Sequence, residues 1–247
     1  MKPMIEICCG SYYDALQAEA GGAERIELNS ALHLGGLTPS LATLKLVKEH
    51  THLKVMAMVR PRGGGFCYTE PDFEVMKQDC RILLEHGADG IVFGCLQADG
   101  SIHPTQNQIL IDCIKEYHRE AVFHRAFDCC QNPYTTIEAL ISMGVDRILT
   151  SGLKPKAAEG ISLLKELHQI YGTQIQLLPG SGINASNARQ LMKNTGIHQV
   201  HSACKDWLED KTTVSGSVSF AYAADSHEYD YEVVSADLVR KLIESVS

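Results

Sequence analysis

One short pattern of apolar and polar positions recurs four times along the chain. It is Gly, an apolar residue, a polar residue, a variable residue and then a β-branched or aliphatic run. It appears as GAERIEL from Gly22, GADGIVF from Gly87, GVDRILT from Gly144 and GIHQVHS from Gly196. Glycine ends helices in the left-handed conformation, and Ile/Val-rich runs favour strands, so each copy predicts a helix end turning into a strand. Four more strand candidates lie between them: MIEIC (4–8), LKVMAMV (53–59), EAVFH (120–124) and IQLLP (175–179). Helical periodicity fills Pro39 to Glu49, Pro71 to His86, Pro104 to His118, Pro133 to Met143 and Ala157 to Tyr171. Four of these open on proline, which suits a first helical turn.

Eight strands alternating with helices predict a parallel sheet, and eight such units predict a closed TIM (β/α)8 barrel. A doubly wound open sheet is the alternative. The expected organisation is one α/β domain over residues 1–247, with strand eight ending near 202, a loop-like stretch over 203–233 and a final helix over 234–246 capped by Ser235. A chain of 247 residues suits one such barrel.

Composition narrows the classes of partner. The net charge of −8 argues against a nucleic-acid surface, which needs clustered Lys and Arg to neutralise phosphates. The apolar runs are shorter than a membrane span, and the start MKPMIEICCG has no signal-peptide character, so a cytoplasmic protein with no membrane partner is expected. Nine cysteines, an odd number with no C-x-x-C, read as reduced thiols. The neighbours Cys8-Cys9 and Cys129-Cys130 are poor chelates, because adjacent strand residues face opposite ways. No organic cofactor is predicted.

Strand alternation then selects candidate chemistry. Ile5 and Ile7 suit the helix side of strand one, leaving Glu6 and Cys8 in the barrel lumen; Ile26 and Leu28 leave Glu27 and Asn29 there. Buried carboxylates need cations or donors. Arg60 and Arg62 of MVRPRGGGF, two apart, and Arg125 at the end of strand five are the expected partners. Together they predict a pocket for a small anionic ligand or a metal, with packing of the lumen as the alternative. Gly180 and Gly182 of LLPGSGIN let backbone N–H groups approach an anion where this fold commonly binds phosphate, and Ser151 in LTSGLKP extends that set, as does His201. In FHRAFD, His124 is a candidate general base that Asp128 either orients or leaves for a pairing with Arg125. The catalytic candidates are thus Glu6, Glu27, His124 and Asp128. Cys129 and Cys130 read as loop thiols. For a soft cation the available groups are Cys8 with Met56 or Met58.

The motifs IEICCGSYYDALQAEAGGAERIELNSALHLGGLTPS, MVRPRGGGFCYTEPDFEVMKQD, FHRAFD, RILTSG, LPGSGIN and VHSA, in this order, resemble the copper homeostasis protein CutC family over about residues 4 to 204. The resemblance implies a TIM barrel, a cytosolic setting, a homo-oligomer and a part in copper handling with Cu(I) as the ligand. It also implies thiols at the ends of strands one and two; Cys8 stands at the first position and Asn29 at the second. Three readings follow: a copper-handling protein using Cys8, an enzyme acting on a small phosphorylated or carboxylated metabolite clamped by Arg60, Arg62 and Arg125, and a non-catalytic oligomeric scaffold.

Overall fold

Gly22, Gly87, Gly144 and Gly196 all adopt left-handed backbone, with φ of +96°, +94°, +90° and +78°. At each of them the chain leaves a helix and enters an even-numbered strand, which a residue with a Cβ would do only at a conformational cost. The computed structural model describes residues 3–223 and 225–247. Its strands are Met4–Cys9 (β1), Arg25–Leu28 (β2), Lys54–Met58 (β3), Gly90–Phe93 (β4), Glu120–Phe123 (β5), Arg147–Thr150 (β6), Gln176–Pro179 (β7) and Gln199–Ser202 (β8). The helices between and after them are Tyr12–Ala20 (α1), Leu41–His50 (α2), Glu70–Glu85 (α3), Pro104–Glu116 (α4), Pro133–Met143 (α5), Ile161–Tyr171 (α6), Ala188–Thr195 (α7) and Ala236–Val246 (α8).

The strands form one parallel sheet in the order β7-β6-β5-β4-β3-β2-β1-β8, the arrangement of a TIM barrel. At the β7–β8 closure a side chain crosses the gap: Gln199 Nε2 donates to the Leu177 carbonyl at 3.1 Å. Ile7, Ile26 and Leu28 are fully buried against the helix ring, each worth roughly 1.5–3 kcal/mol. The opposite residues fill the lumen. One side is apolar, from Met56, Met58, Val92 and Val122. The other is polar, from Glu6, Arg25, Glu27, Arg147 and His201, all buried.

Prolines 71, 104 and 133 lie in the first turns of α3, α4 and α5. Pro39 does not start α2; Ser40 caps that helix by accepting from the Thr43 amide at 3.1 Å. The stretch read as one helix from Ala157 is a 3-10 turn, Ala157–Glu159, followed after Gly160 by α6.

The segment expected to be loop-like over 203–233 carries an antiparallel ribbon. Lys205–Glu209 (β9) pairs with Asp230–Val234 (β12), and a small hairpin joins Val214–Ser215 (β10) to Val218–Ser219 (β11). Most of β9 is solvent-exposed, so it lacks the inward apolar alternation by which a strand is recognised. The ribbon is fastened over the barrel mouth. The Val234 amide donates to Asp14 Oδ1 at 2.8 Å, the Glu232 amide to Tyr222 Oη at 2.8 Å, and the rings of Tyr222 and His33 stack at 4.8 Å. Ser235 holds the N-cap position of α8 without a side-chain cap bond.

Candidate metal centre

Parallel register brings the polar lumen residues together. Glu6 on β1 is flanked by Arg25 on β2 and His201 on β8, and Cys8 lies beside Glu27. Arg25 Nε lies 2.6 Å from Glu6 Oε2, and His201 Nδ1 lies 2.9 Å from Glu6 Oε1. Arg25 and His201, rather than Arg60, Arg62 or Arg125, therefore neutralise Glu6. Strand register, which decides this, cannot be read from charge counting.

Above this layer, nearer the C-terminal strand ends, Cys8, Glu27 and His201 converge. Their donor atoms all lie within 4.8 Å of one another. Cys8 Sγ is 3.6 Å from Glu27 Oε2, and His201 Nε2 is 4.0 Å from the same oxygen. Asn29 Nδ2 donates to Glu27 Oε2 at 2.9 Å and approaches Cys8 Sγ at 3.6 Å. Its Oδ1 occupies the space a Cβ on Gly36 would fill, at 2.5 Å, which fits the φ of +85° there. Glu27 Oε1 is buried without a hydrogen-bond partner among the described residues.

The electrostatics follow from burial and register. Burial would raise Glu6, but Arg25 and then the His201 hydrogen bond outweigh it and hold the carboxyl at about 2. Burial raises Glu27 above its ordinary range against the pull of His201. Burial would lower His201, yet the carboxylates of Glu27 and Glu6 win and raise it. Burial and then the Glu27 charge push the Cys8 thiol well above its usual value. The group thus stores protons that a cation can displace. With Nδ1–H donated to Glu6, displacement of the Nε2 proton leaves a lone pair of His201 facing Glu27 and Cys8. That is the carboxylate–histidine arrangement by which a metal-binding imidazole is oriented.

Cys8, Glu27 and His201 line a cavity of about 300 Å³ that also takes in Met58, Arg60, His124 and Gly182. From the ribbon, Lys205 and Glu232 border it, 3.4 Å apart. Arg60 is buried; its Nη1 donates to the carbonyls of Leu34 (2.9 Å) and Gly36 (2.8 Å), and its Nη2 to that of Gly64 (2.7 Å). Arg62 does not follow it into the cavity. It pairs outward with Asp72 at 2.9 Å, the residue that completes the capping box of α3.

Asp128 makes no hydrogen bond with His124. It pairs with Arg125 at 2.7 Å and accepts from Thr150 Oγ1 (2.6 Å) and from the amides of Ser151 (3.0 Å) and Leu153 (3.2 Å). Ser151 Oγ is engaged by Asp128, Arg125 and the Lys154 carbonyl. His124 Nδ1 accepts from the Ala126 amide at 3.1 Å, while its Nε2 is buried with no hydrogen-bond partner among the described residues. Burial, with Arg60 second, lowers this ring to about 3, so it is neutral. The Gly180 amide is used by the Thr150 carbonyl at 3.0 Å, leaving Gly182 the nearer to the cavity. Met56 lies in the apolar half of the lumen; Cys129 is exposed and Cys130 buried, neither on the cavity.

Arg25 was not among the sequence candidates, and His201 stood only in the anion set. The signal for both was the repeat itself. Glu27 and His201 share the sixth position of GAERIEL and GIHQVHS, and Arg25 and Gln199 share the fourth. Equal positions in equivalent strands face the lumen at similar heights.

The fold and site define a TIM barrel with a thiol, an imidazole and a carboxylate gathered at its C-terminal mouth. The CutC family matches residues 3–206. A CutC family protein of Treponema denticola is 45% identical over 243 residues, 98% of each chain. The copper homeostasis protein cutC homolog of Homo sapiens is 36% identical over 240 residues, covering 97% of this chain and 87% of that protein. A CutC structure from Streptococcus agalactiae superposes with a TM-score of 0.77 at 28% identity, covering 81% of this chain and 98% of that one. The chain belongs to the CutC family.

Proposed function

We propose that this chain acts in copper homeostasis by holding Cu(I) as cargo through Cys8 Sγ and His201 Nε2, with Glu27 beside them. The observation that carries this reading is the convergence of three donor atoms from β1, β2 and β8 within 4.8 Å. Thiolate and imidazole are the softer ligands available, and Cu(I) favours soft donors. The partnerless Glu27 Oε1 supplies a buried acceptor that a cation would satisfy. Met58 lines the same cavity and adds a thioether within the lumen. Asn29, which replaces a second thiol, positions Glu27 and Cys8 through its amide.

Nine free cysteines support a reducing, cytoplasmic setting, and among the described residues no helix is long and apolar enough to cross a membrane. The exposed Val218 and Phe220 of the ribbon support a homo-oligomer. An anaerobic Cu(I) titration against a competing chelator tests the reading. Stoichiometric binding that Cys8→Ser abolishes is expected; binding indifferent to Cys8→Ser contradicts it.

A further inference from the structure

A second cavity, of about 490 Å³, adjoins the first and shares Gly182, Ser202, Ala203 and Lys205 with it. It is built from the loops after β7 and β8, together with Leu238 and Lys241 of α8. These loops are where TIM barrels commonly hold phosphate. The lining fits that chemistry. Lys241 and Lys205, the latter also 3.4 Å from Glu232 at the border of the inner cavity, supply two cations, and no carboxylate lines the outer cavity itself. The amides of Gly182 and Ala203, both outside regular secondary structure, make no hydrogen bond within the described chain. Gly182 has a φ of +71°, and a Cβ there would press on Lys156 at 3.0 Å, so the backbone is kept bare at this edge. Bare amides and lysines are the donors that a phosphate group recruits.

An independent observation lies in the inner cavity. His124, 2% exposed, lines it with a neutral ring whose Nδ1 accepts from Ala126. The proton therefore sits on Nε2, a buried donor with no partner among the described residues. An unpaired buried donor is costly unless a ligand atom satisfies it. A molecule with phosphate at one end and a hydroxyl or carbonyl oxygen at the other matches both features.

We propose that the two cavities together bind a small phosphate monoester, its phosphate on Lys205, Lys241 and the Gly182 and Ala203 amides, and an oxygen of its body on His124 Nε2. This goes beyond the copper reading, and its phosphate end, in the outer cavity, does not involve Cys8.

The test is calorimetric titration at fixed ionic strength with inorganic phosphate and with glycerol 3-phosphate, using chloride as the control. Both phosphates should bind, glycerol 3-phosphate about tenfold more tightly. The exposed pair Lys205→Gln, Lys241→Gln should weaken both by about tenfold or more. His124→Asn keeps an acceptor for the Ala126 amide and removes Nε2; it should erase only the advantage of glycerol 3-phosphate. Cys8 lines only the inner cavity, so Cys8→Ser should leave the affinity for inorganic phosphate unchanged, which separates the phosphate end of this proposal from the copper site. No heat above the chloride control, or lysine variants that bind like wild type, would overturn the phosphate site. Equal affinity for the two phosphates would overturn the role of His124.

Discussion

Glu6 on β1 and His201 on β8 are joined across neighbouring strands, Oε1 to Nδ1, at 2.9 Å. The bond fixes which nitrogen of His201 is free, and Arg25 fixes Glu6 in turn at 2.6 Å. An ion pair and one hydrogen bond therefore set the chemistry of the site from below.

Glu6→Gln tests that arrangement through stability. The Glu6 carboxyl is held at about 2 against an ordinary 4.5, a depression worth about 3 kcal/mol. A depressed carboxylate contributes its stability above the unfolded pKa and loses it as pH falls through the folded one. The variant should therefore be destabilised by about 3–5 kcal/mol at pH 7, since it also strands Arg25. That deficit should shrink between about pH 4.5 and 2, the interval of the shift. Denaturant unfolding across that range measures both.

Proton competition governs metal binding. His201 and Cys8 both hold protons above their ordinary values, so Cu(I) must displace them. Affinity should rise with pH by about ten- to a hundredfold per unit, according to whether one or two protons leave. His201→Asn should weaken binding and reduce that slope by about one decade per unit. Chelator competition at several pH values reads it; a flat profile would rule out both groups as ligands.

Asn29→Cys places a second thiol beside Cys8. Cu(I) affinity should increase by at least about tenfold, because a soft ligand replaces an amide that only orients its neighbours. An unchanged affinity would mean that the ion sits away from β1 and β2.

Asp128→Ala tests a structural role. The carboxylate accepts from Thr150, Ser151 and Leu153 while pairing with Arg125. Its loss should cost about 2–4 kcal/mol in unfolding free energy, since several buried donors lose their acceptor.

Much of the barrel could be read from the chain. The four glycines and the Ile/Val runs after them are local signals, and local backbone preference decides both. Alternation also placed Glu6, Cys8, Glu27 and Asn29 in the lumen. What alternation could not supply was partnership between strands distant in sequence: Glu6 with His201 is a contact over 195 positions. Arg62 was misplaced for a related reason, because a spacing of two keeps two side chains on one face only while the strand continues. Here β3 ends at Met58, and the glycine run lets Arg62 turn back to Asp72. The ribbon was hidden because β9 is mostly exposed and only Val233 and Val234, at the end of β12, are buried, too short a run to show alternation.

The most direct measurement is copper K-edge X-ray absorption of the reduced, Cu(I)-loaded protein. The account predicts sulfur together with imidazole scattering in wild type, with the sulfur lost in Cys8→Ser and the imidazole lost in His201→Asn. A copper environment that keeps its sulfur in Cys8→Ser, or that never contains imidazole, would contradict a centre built on these two residues.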